Sequence, residues 1–109
     1  MEYKKQNKQS QAIKITAEEG GKVLGRASVF LIYNDLHAEP YGLLEDVFVE
    51  EVARGKGLGT SLVQAVIEEA KIQGCTRLIA NSRYTRPEVH KMYEKIGFKD
   101  YGKEFRIDF

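Results

Sequence analysis

The sequence predicts an α+β domain with a mixed central sheet, an antiparallel meander in its N-terminal half and two main helices after it. Three observations support this fold class. Short apolar segments with alternating or β-branched residues are separated by turn residues up to Val49. A glycine-rich turn then leads into an amphipathic helix and a further strand, a succession that is usually parallel and right-handed. A second helical segment begins at Pro87.

Length and charge bound the organisation of the chain. It has 109 residues, of which 42% are hydrophobic, enough for a core in one small domain. Its 17 basic and 16 acidic side chains leave a net charge of +1, so we expect neither nucleic acid nor a membrane surface as a partner. We divide the chain into a polar N-terminal tail, residues 1–11, and a single domain, residues 12–109.

Cysteine content and hydropathy indicate the compartment. Cys75 is the one cysteine, which excludes an internal disulfide and a cysteine-based metal site. No apolar stretch approaches membrane-spanning length, and residues 1–11 lack the apolar segment of a signal peptide. We therefore expect a cytoplasmic protein without a metal ion.

The N-terminal half of the domain predicts a three-stranded meander. The Gly20-Gly21 pair is typical of a hairpin turn between the first two strands. Gly25 indicates a bulge or a close approach of backbone in the second strand. The strands are expected at residues 12–18, 23–33 and 41–49, with a loop at residues 34–40.

The C-terminal half predicts two helices and three further strands. Gly74 ends the first helix, whose apolar stripe comprises Leu58, Leu62, Ala65, Val66 and Ala70. Gly97 ends the second helix. The remaining elements are expected as a strand at residues 77–82, a helix from Pro87 to about Lys95, and short final strands at residues 98–101 and 105–109.

Glycines and basic residues alternate between the third strand and the first helix, as Arg54, Gly55, Lys56, Gly57, Leu58 and Gly59. Glycine lets another group come close to the backbone, and the helix N-terminus attracts anions through its free N–H groups. The segment therefore predicts a phosphate-binding turn. It lacks the Lys-Ser or Lys-Thr pair of a Walker loop, and its G-x-G-x-G spacing differs from the G-x-G-x-x-G dinucleotide fingerprint.

Two segments resemble the GNAT superfamily of N-acetyltransferases. Arg54, Gly57 and Gly59 fill the fixed positions of its acyl-CoA pyrophosphate motif, Q/R-x-x-G-x-G/A. The segment R-P-E-V-H-K-M-Y-E-K-I-G-F resembles a later motif, N-x-x-A-x-x-F/L-Y-x-x-x-G-F, and its matching residues are Tyr93, Gly97 and Phe98. Both motifs occur in the family's order, with a helix and a strand expected between them.

The resemblance implies that acetyl-CoA is the acetyl donor and an amine is the acceptor. It implies that the strand before the turn offers backbone groups to the pantetheine arm, from Val47, Phe48 and Val49. It assigns the pyrophosphate to the turn and the start of the helix, with Arg54, Gly55, Lys56, Gly57, Leu58, Gly59 and Thr60. Arg86 replaces an asparagine that often contacts the pantetheine arm, and Asn81 and Ser82 are candidates to restore that contact.

Tyr93 and Glu45 are the candidate catalytic residues. In many GNAT members the tyrosine of the later motif protonates the CoA sulfur, and a phenol carries its proton at neutral pH. Glu45 interrupts an apolar strand, L-E-D-V-F-V, which is similar to that of polyamine and glucosamine-phosphate acetyltransferases. We expect Glu45 to take the proton of the acceptor ammonium, directly or through water. Asp46 is the alternative base, because only one of two neighbouring strand residues points to a given face.

The acceptor and the state of assembly stay open at this point. GNAT members usually have a strand and two helices before the meander, whereas only about a dozen residues, most of them polar, precede Ile13 here. The acceptor site is then open or completed by a second subunit in a homodimer. The acceptor is a small amine, such as a polyamine or an amino-sugar phosphate, or a protein amine. The competing function is an acetyl-CoA-binding or protein-interaction module with little catalytic activity.

Overall fold

Four strands form one sheet, and two helices follow its third and fourth strands. The computed structural model describes all 109 residues. The elements in chain order are β1 (Ala12–Glu19), β2 (Lys22–Ile32), β3 (Tyr41–Val49), a 3₁₀ turn (Glu51–Ala53), α1 (Leu58–Ile72), β4 (Leu78–Ala80) and α2 (Pro87–Ile96). Neither α1 nor α2 combines the length and the apolar composition that spanning a membrane requires.

The sheet is mixed, with strand order β1-β2-β3-β4. β1 and β2 are antiparallel, β2 and β3 are antiparallel, and β3 and β4 are parallel. Gly20 and Gly21 make the two-residue turn between β1 and β2 with φ angles of 58° and 78°, a region that favours glycine. The predicted meander and the strand–helix–strand crossover are both confirmed.

A bulge interrupts β3 near its middle. The register with β2 shifts between Arg26 and Ser28, where two β3 residues, Asp46 and Val47, lie opposite one β2 residue. Asp46 has a φ of 56°, a left-handed conformation that aspartate adopts more readily than most residues. The extra residue lets Leu44 and Val47 both contribute to the core although they are three positions apart.

The core lies between the sheet and α1. Its buried residues are Ala27, Val29, Leu31 and Leu44 from the sheet and Leu62, Val63, Val66 and Ala70 from α1. Val63 is fully buried, whereas Ala65, which the sequence places in the apolar stripe, is half-buried. Gly25 allows α1 to approach β2 closely, since a Cβ atom there would lie 2.9 Å from Leu62 Cδ1. The predicted close approach at Gly25 is confirmed.

Both helices lie on the same side of the sheet. Met92, Tyr93 and Ile96 of α2 pack against the core that α1 forms with the strands. The opposite face of the sheet carries apolar side chains that no helix covers, and Phe30 and Ile79 on it are 43% and 37% exposed. This uncovered face lies beside the candidate base Glu45, which alternates with Leu44 along β3.

Two predicted strands are wrong. Residues 98–101 and 105–109 form no strand, and every residue from 99 to 109 is exposed. A strand needs hydrogen bonds from a neighbouring strand, and this C-terminal segment (residues 99–109) makes none within the chain. β4 is also shorter than the predicted residues 77–82, because its pairing with β3 ends where Leu44 meets Ala80.

Candidate active site

The edge of β3 is unpaired beyond Leu44. β4 pairs with β3 at Gly42, Leu43 and Leu44 only, so the last five residues of β3 have a strand neighbour on the β2 side alone. A sheet edge of this kind presents backbone N–H and C=O groups to any extended group that carries amides.

Val47 and Val49 are the residues whose backbone groups face this open edge. The N–H group of Glu50 donates to Leu24 of β2 over 2.8 Å. Backbone groups alternate in direction along a strand, so those of Phe48 also point to β2, and those of Val47 and Val49 point away from it. The two amides of a pantetheine arm are suited to such an edge, as the resemblance implies for Val47, Phe48 and Val49.

The N-terminus of α1 offers free N–H groups at the end of the same edge. Gly57 precedes the helix with a φ of 82°, and no side chain caps the first turn. The first intrahelical bond runs from Ser61 N–H to the Gly57 carbonyl. The N–H groups of Leu58, Gly59 and Thr60 consequently have no backbone acceptor, and the first turn contains no acidic residue. The helix dipole adds partial positive charge there, which favours an anionic ligand.

Gly59 has no structural need to be glycine. Its φ is not in the left-handed region, and a Cβ atom there would meet only Val49 Cγ2 at 3.9 Å, an ordinary contact. Glycine within a helix is less favourable than alanine by about 0.8–1 kcal/mol. Its missing side chain instead leaves space above the free N–H groups, and this space fits the pyrophosphate that the resemblance assigns to the turn.

Two guanidinium groups flank the Phe48 ring. Arg54 donates from Nε to the Val49 carbonyl over 2.9 Å, and its guanidinium lies 5.7 Å from the ring centroid. Arg26 lies 4.7 Å from the same centroid and donates to both carboxylate oxygens of Asp46, over 2.8 and 3.1 Å. Sequence analysis identified Arg54 as a candidate site residue but did not identify Arg26. Only the register between β2 and β3 places Arg26 beside Phe48.

Lys56 and Gly55 complete the turn. Both are exposed, and Gly55 has a φ of 78°. Lys56 lies at an open cleft of about 710 Å³ between the turn and the β1–β2 hairpin, which is also lined by Glu19, Gly20, Leu24, Val52, Ala53, Gly57, Leu58 and Ser61. The turn therefore keeps one lysine free on its outer side, while Arg54 is held against β3.

Tyr93 lies on α2, where the charges of Arg86 and Glu45 act on its phenol. The phenol is half-buried, and its ring lies 5.2 Å from that of Phe98. Burial raises the pKa of Tyr93, the positive charge of Arg86 lowers it by a smaller amount, and the negative charge of Glu45 adds to the increase. The pKa is raised overall, so Tyr93 retains its proton at neutral pH and can act as a donor.

Glu45 and Asp46 differ in their surroundings. Arg26 lowers the pKa of Asp46 by donating to its carboxylate, which makes Asp46 a weaker base. Glu45 is exposed and forms no ion pair. It borders an open depression of about 450 Å³ on the uncovered sheet face, lined also by Ser10, Phe30, Ile32, Leu43 and Asp46. Of the two carboxylates, Glu45 is therefore the one without a cationic partner.

The loop between β4 and α2 contains the remaining residues that were predicted to bind acetyl-CoA. Asn81 directly follows β4 and is exposed, and Arg86 donates to Glu88 over 3.3 Å. The Nε2 atom of His90 lies 2.7 Å from the carbonyl oxygen of Arg83. Since a carbonyl only accepts, His90 donates there and serves to hold this loop against α2. No three His, Cys, Asp or Glu side chains gather in a group that would bind a metal ion.

Comparison with known proteins identifies the family. The model of the acetyltransferase (GNAT) family matches residues 2–98. The chain belongs to the GNAT family. Glucosamine-6-phosphate N-acetyltransferase from Arabidopsis thaliana has the same fold, with a TM-score of 0.78, 27% sequence identity, and coverage of 90% of this chain and 67% of that one.

Sequence relatives include named GNAT enzymes. Glucosamine 6-phosphate N-acetyltransferase 1 of Oryza sativa subsp. japonica is 37% identical over 68 residues, which are 62% of this chain and 39% of the relative. An L-methionine sulfoximine/L-methionine sulfone acetyltransferase of Pseudomonas paraeruginosa is 33% identical over 101 residues, which are 88% of this chain and 55% of the relative. The chain thus spans about two fifths to about a half of the length of these relatives.

Proposed function

We propose that this GNAT domain transfers the acetyl group of acetyl-CoA to a small primary amine. The observation that carries the proposal is the open edge of β3 beyond Leu44, which is followed by the free N–H groups at the N-terminus of α1. Acetyl transfer to an amine needs one group that takes a proton and another that gives one. Tyr93, whose raised pKa keeps its proton in place, is suited to give a proton, and Glu45, which forms no ion pair, is suited to take one.

Acetyl-CoA binding is assigned to the β3 edge and the N-terminus of α1. The pantetheine amides pair with the outward backbone groups of Val47 and Val49. The pyrophosphate accepts hydrogen bonds from the N–H groups of Leu58, Gly59 and Thr60, above the space that Gly59 leaves. Arg54 adds positive charge when its guanidinium turns from the Val49 carbonyl toward the phosphates, and Lys56 adds charge from the outer side.

Two side chains of this domain take up and supply the protons that acetyl transfer requires. Glu45 takes a proton from the acceptor ammonium, directly or through water, so that the nitrogen lone pair attacks the thioester carbonyl. The new carbon–nitrogen bond forms as the carbon–sulfur bond breaks, and the nitrogen passes its surplus proton, directly or through water, to the Tyr93 oxygen once that oxygen has protonated the sulfur. Tyr93 donates its phenolic proton to the departing sulfur, and a raised pKa keeps this proton available across the neutral range.

The acceptor is proposed to be small because of the depression beside Glu45. Its volume of about 450 Å³ falls in the range of small-molecule sites, and its lining combines three apolar side chains with two carboxylates. The relatives named above act on glucosamine 6-phosphate and on L-methionine sulfoximine or sulfone, which are small amines. A positively charged ammonium is attracted to the Glu45 carboxylate at the rim.

Calorimetry with acetyl-CoA tests the donor site. Wild type binds, and Gly57→Glu does not, because it places an anion where the pyrophosphate is assigned. Gly57→Ala is the matched control, since it brings the same backbone strain at a φ of 82° without the charge. Absence of binding by folded wild type, or equal binding by Gly57→Glu, contradicts the proposed site.

An assay of CoA thiol release with a panel of small amines tests the transfer. Glu45→Gln lowers turnover by about 10²-fold or more at neutral pH, the usual contribution of a general base. Glu68→Gln, on the exposed surface of α1, is the matched control and keeps wild-type turnover. Binding of acetyl-CoA without transfer to any amine supports the binding-module function instead.

A further inference from the structure

The bulge in β3 changes which backbone groups face the open edge. The Gly42 N–H group donates to the Arg77 carbonyl, next to β4, over 2.9 Å, so alternation turns the backbone groups of Glu45 toward β2. Three residues later the groups of Phe48 also point to β2, although regular alternation would turn them to the other side. The extra residue of the bulge therefore directs the backbone groups of Val47 to the open edge.

Asp46 gives this bulge a conformation that needs support. Its φ of 56° is the only left-handed φ among the non-glycine residues of the chain. Residues with a side chain adopt this region at a cost in free energy, because their Cβ atom comes close to the following carbonyl oxygen. Such a conformation persists where the surrounding structure fixes it, so the contacts of Asp46 are expected to hold the bulge in place.

Arg26 contacts the residues on both sides of Val47. Its guanidinium donates from Nε and Nη2 to the two carboxylate oxygens of Asp46, over 2.8 and 3.1 Å, a bidentate arrangement that fixes the orientation of the carboxylate. The same guanidinium lies 4.7 Å from the ring centroid of Phe48, the cross-strand partner of Arg26. Arg26 lies on β2, so it reaches the bulge from the side of β3 that is opposite to the open edge.

We propose that Arg26 is a positioning residue for the acetyl donor. Its pair with Asp46 and its contact with Phe48 hold the bulge, and the bulge turns the N–H and C=O groups of Val47 to the edge where the pantetheine arm is assigned. Arg26 itself touches neither the donor nor the acceptor. The role toward the donor rests on the proposed function, whereas the hold of Arg26 on the bulge is measurable in the free protein.

Lys14 provides a control for the charge of Arg26. The hydrogen bond from Arg26 is the largest cause of the lowered pKa of Asp46, and Lys14 on β1 adds a smaller effect through its charge. Lys14 forms no ion pair with Asp46, so only Arg26 also holds the carboxylate in place. Removing each cation in turn therefore separates the geometric effect of Arg26 from the effect of its charge.

Nuclear magnetic resonance of the free protein tests the hold on the bulge. The backbone carbon shifts of residue 46, taken relative to the random-coil values of its residue type, report a left-handed φ in wild type. Arg26→Gln loses this signature, because glutamine lacks both the charge and the bidentate donors. Lys14→Gln keeps it. Arg26→Gln/Asp46→Gly regains it, although the ion pair is gone, because glycine adopts a positive φ without a steric cost.

Calorimetry tests the consequence for the donor. Arg26→Gln weakens acetyl-CoA binding by about 10-fold, the effect of one or two lost hydrogen bonds to the ligand. Its affinity for ADP stays at the wild-type value, because ADP carries a pyrophosphate but no pantetheine arm. Arg26→Gln/Asp46→Gly returns acetyl-CoA affinity toward that of wild type, whereas a general loss of stability would weaken both ligands and would not be rescued by glycine.

Three results overturn the inference. Unchanged shifts of residue 46 in Arg26→Gln mean that the bulge does not depend on Arg26. Changed shifts with unchanged acetyl-CoA affinity mean that the donor does not depend on the bulge. Failure of Asp46→Gly to rescue Arg26→Gln means that Arg26 acts by another route, such as its charge. A wild type that binds no acetyl-CoA contradicts the proposed function instead, and the shifts of residue 46 then still support or overturn the hold of Arg26 on the bulge.

Discussion

Tyr93 illustrates how a single side chain acquires chemical character from its surroundings. The phenol is half-buried against the core and Phe98, and burial disfavours its charged form. Glu45 acts in the same direction and Arg86 in the opposite one, yet the pKa remains raised. A tyrosine in this state is suited to give a proton to a leaving thiolate and to recover it afterwards.

Replacing Tyr93 by phenylalanine is expected to lower kcat by about 10²-fold or more while acetyl-CoA affinity stays near that of wild type. The ring remains to pack on Phe98, so the loss isolates the hydroxyl. Because the raised pKa lies above the ordinary value of about 10, wild-type kcat should not fall on the alkaline side before roughly that pH. Steady-state kinetics between neutral and alkaline pH, with calorimetry for affinity, provide the measurement.

Tyr84→Phe is the control for this experiment, since that tyrosine is 88% exposed in the loop before α2. It should leave both kcat and affinity unchanged. Undiminished turnover in Tyr93→Phe would remove Tyr93 from the acid role, and a large loss of acetyl-CoA affinity would assign it to binding instead.

At the scale of the element, two glycines at the start of α1 have different roles. Gly57 adopts a φ of 82°, which permits the chain to enter the helix. Gly59 is helical and nearly uncrowded, so folding does not require glycine there, and we propose that its absent side chain makes room for the pyrophosphate. In this proposal, the glycine that the fold requires and the glycine that acetyl-CoA binding requires lie two positions apart.

Gly59→Ala is expected to stabilise the domain by about 0.5–1 kcal/mol and to weaken acetyl-CoA binding at the same time. The methyl group improves helix propensity but occupies the space assigned to the pyrophosphate. Denaturant unfolding gives the first quantity and calorimetry the second. Gly57→Ala should instead destabilise by about 1–2 kcal/mol because alanine disfavours a left-handed φ. Stronger or unchanged binding by Gly59→Ala would contradict the assigned pyrophosphate position.

Element prediction succeeded where local pattern and local geometry agree. The sequence correctly predicted the Gly20-Gly21 hairpin, the third strand at Tyr41–Val49 and the helix before Gly74. The two final strands failed, although Phe105–Phe109 has a strand's alternation, because pairing depends on a neighbour that the same chain does not supply.

At the scale of the whole molecule, one face of the sheet is covered by both helices and the other by none. The core is small, and a domain of this size buries a limited share of its surface. Ligand binding is therefore expected to add appreciably to the free energy of unfolding of the domain. The acceptor is assigned to the uncovered face, and acetyl-CoA is assigned to the open β3 edge. The proposed site therefore lies where the sheet is least covered by other elements.

Acetyl-CoA at about 100 times its Kd is expected to raise the free energy of unfolding by about 2.7 kcal/mol, provided that it binds the folded state alone. Thermal unfolding with increasing ligand measures this as a rise in Tm. S-acetylcysteamine, which lacks the pyrophosphate, should give little stabilisation at the same concentration. Equal stabilisation by both compounds would show that the α1 N-terminus does not hold the pyrophosphate.

The sequence by itself determined the α+β class, the order of the main elements and the GNAT motifs, and the residues of the candidate site stay a prediction from those motifs. These features rest on local propensity, glycine positions and short-range spacing. The tertiary structure alone decided that Arg26 engages Asp46 and leaves Glu45 free, that β3 bulges at Asp46, and that β3 has an open edge beyond Leu44. It also decided that residues 105–109 remain unpaired. Each of these depends on the register between strands distant in sequence, which no local pattern specifies.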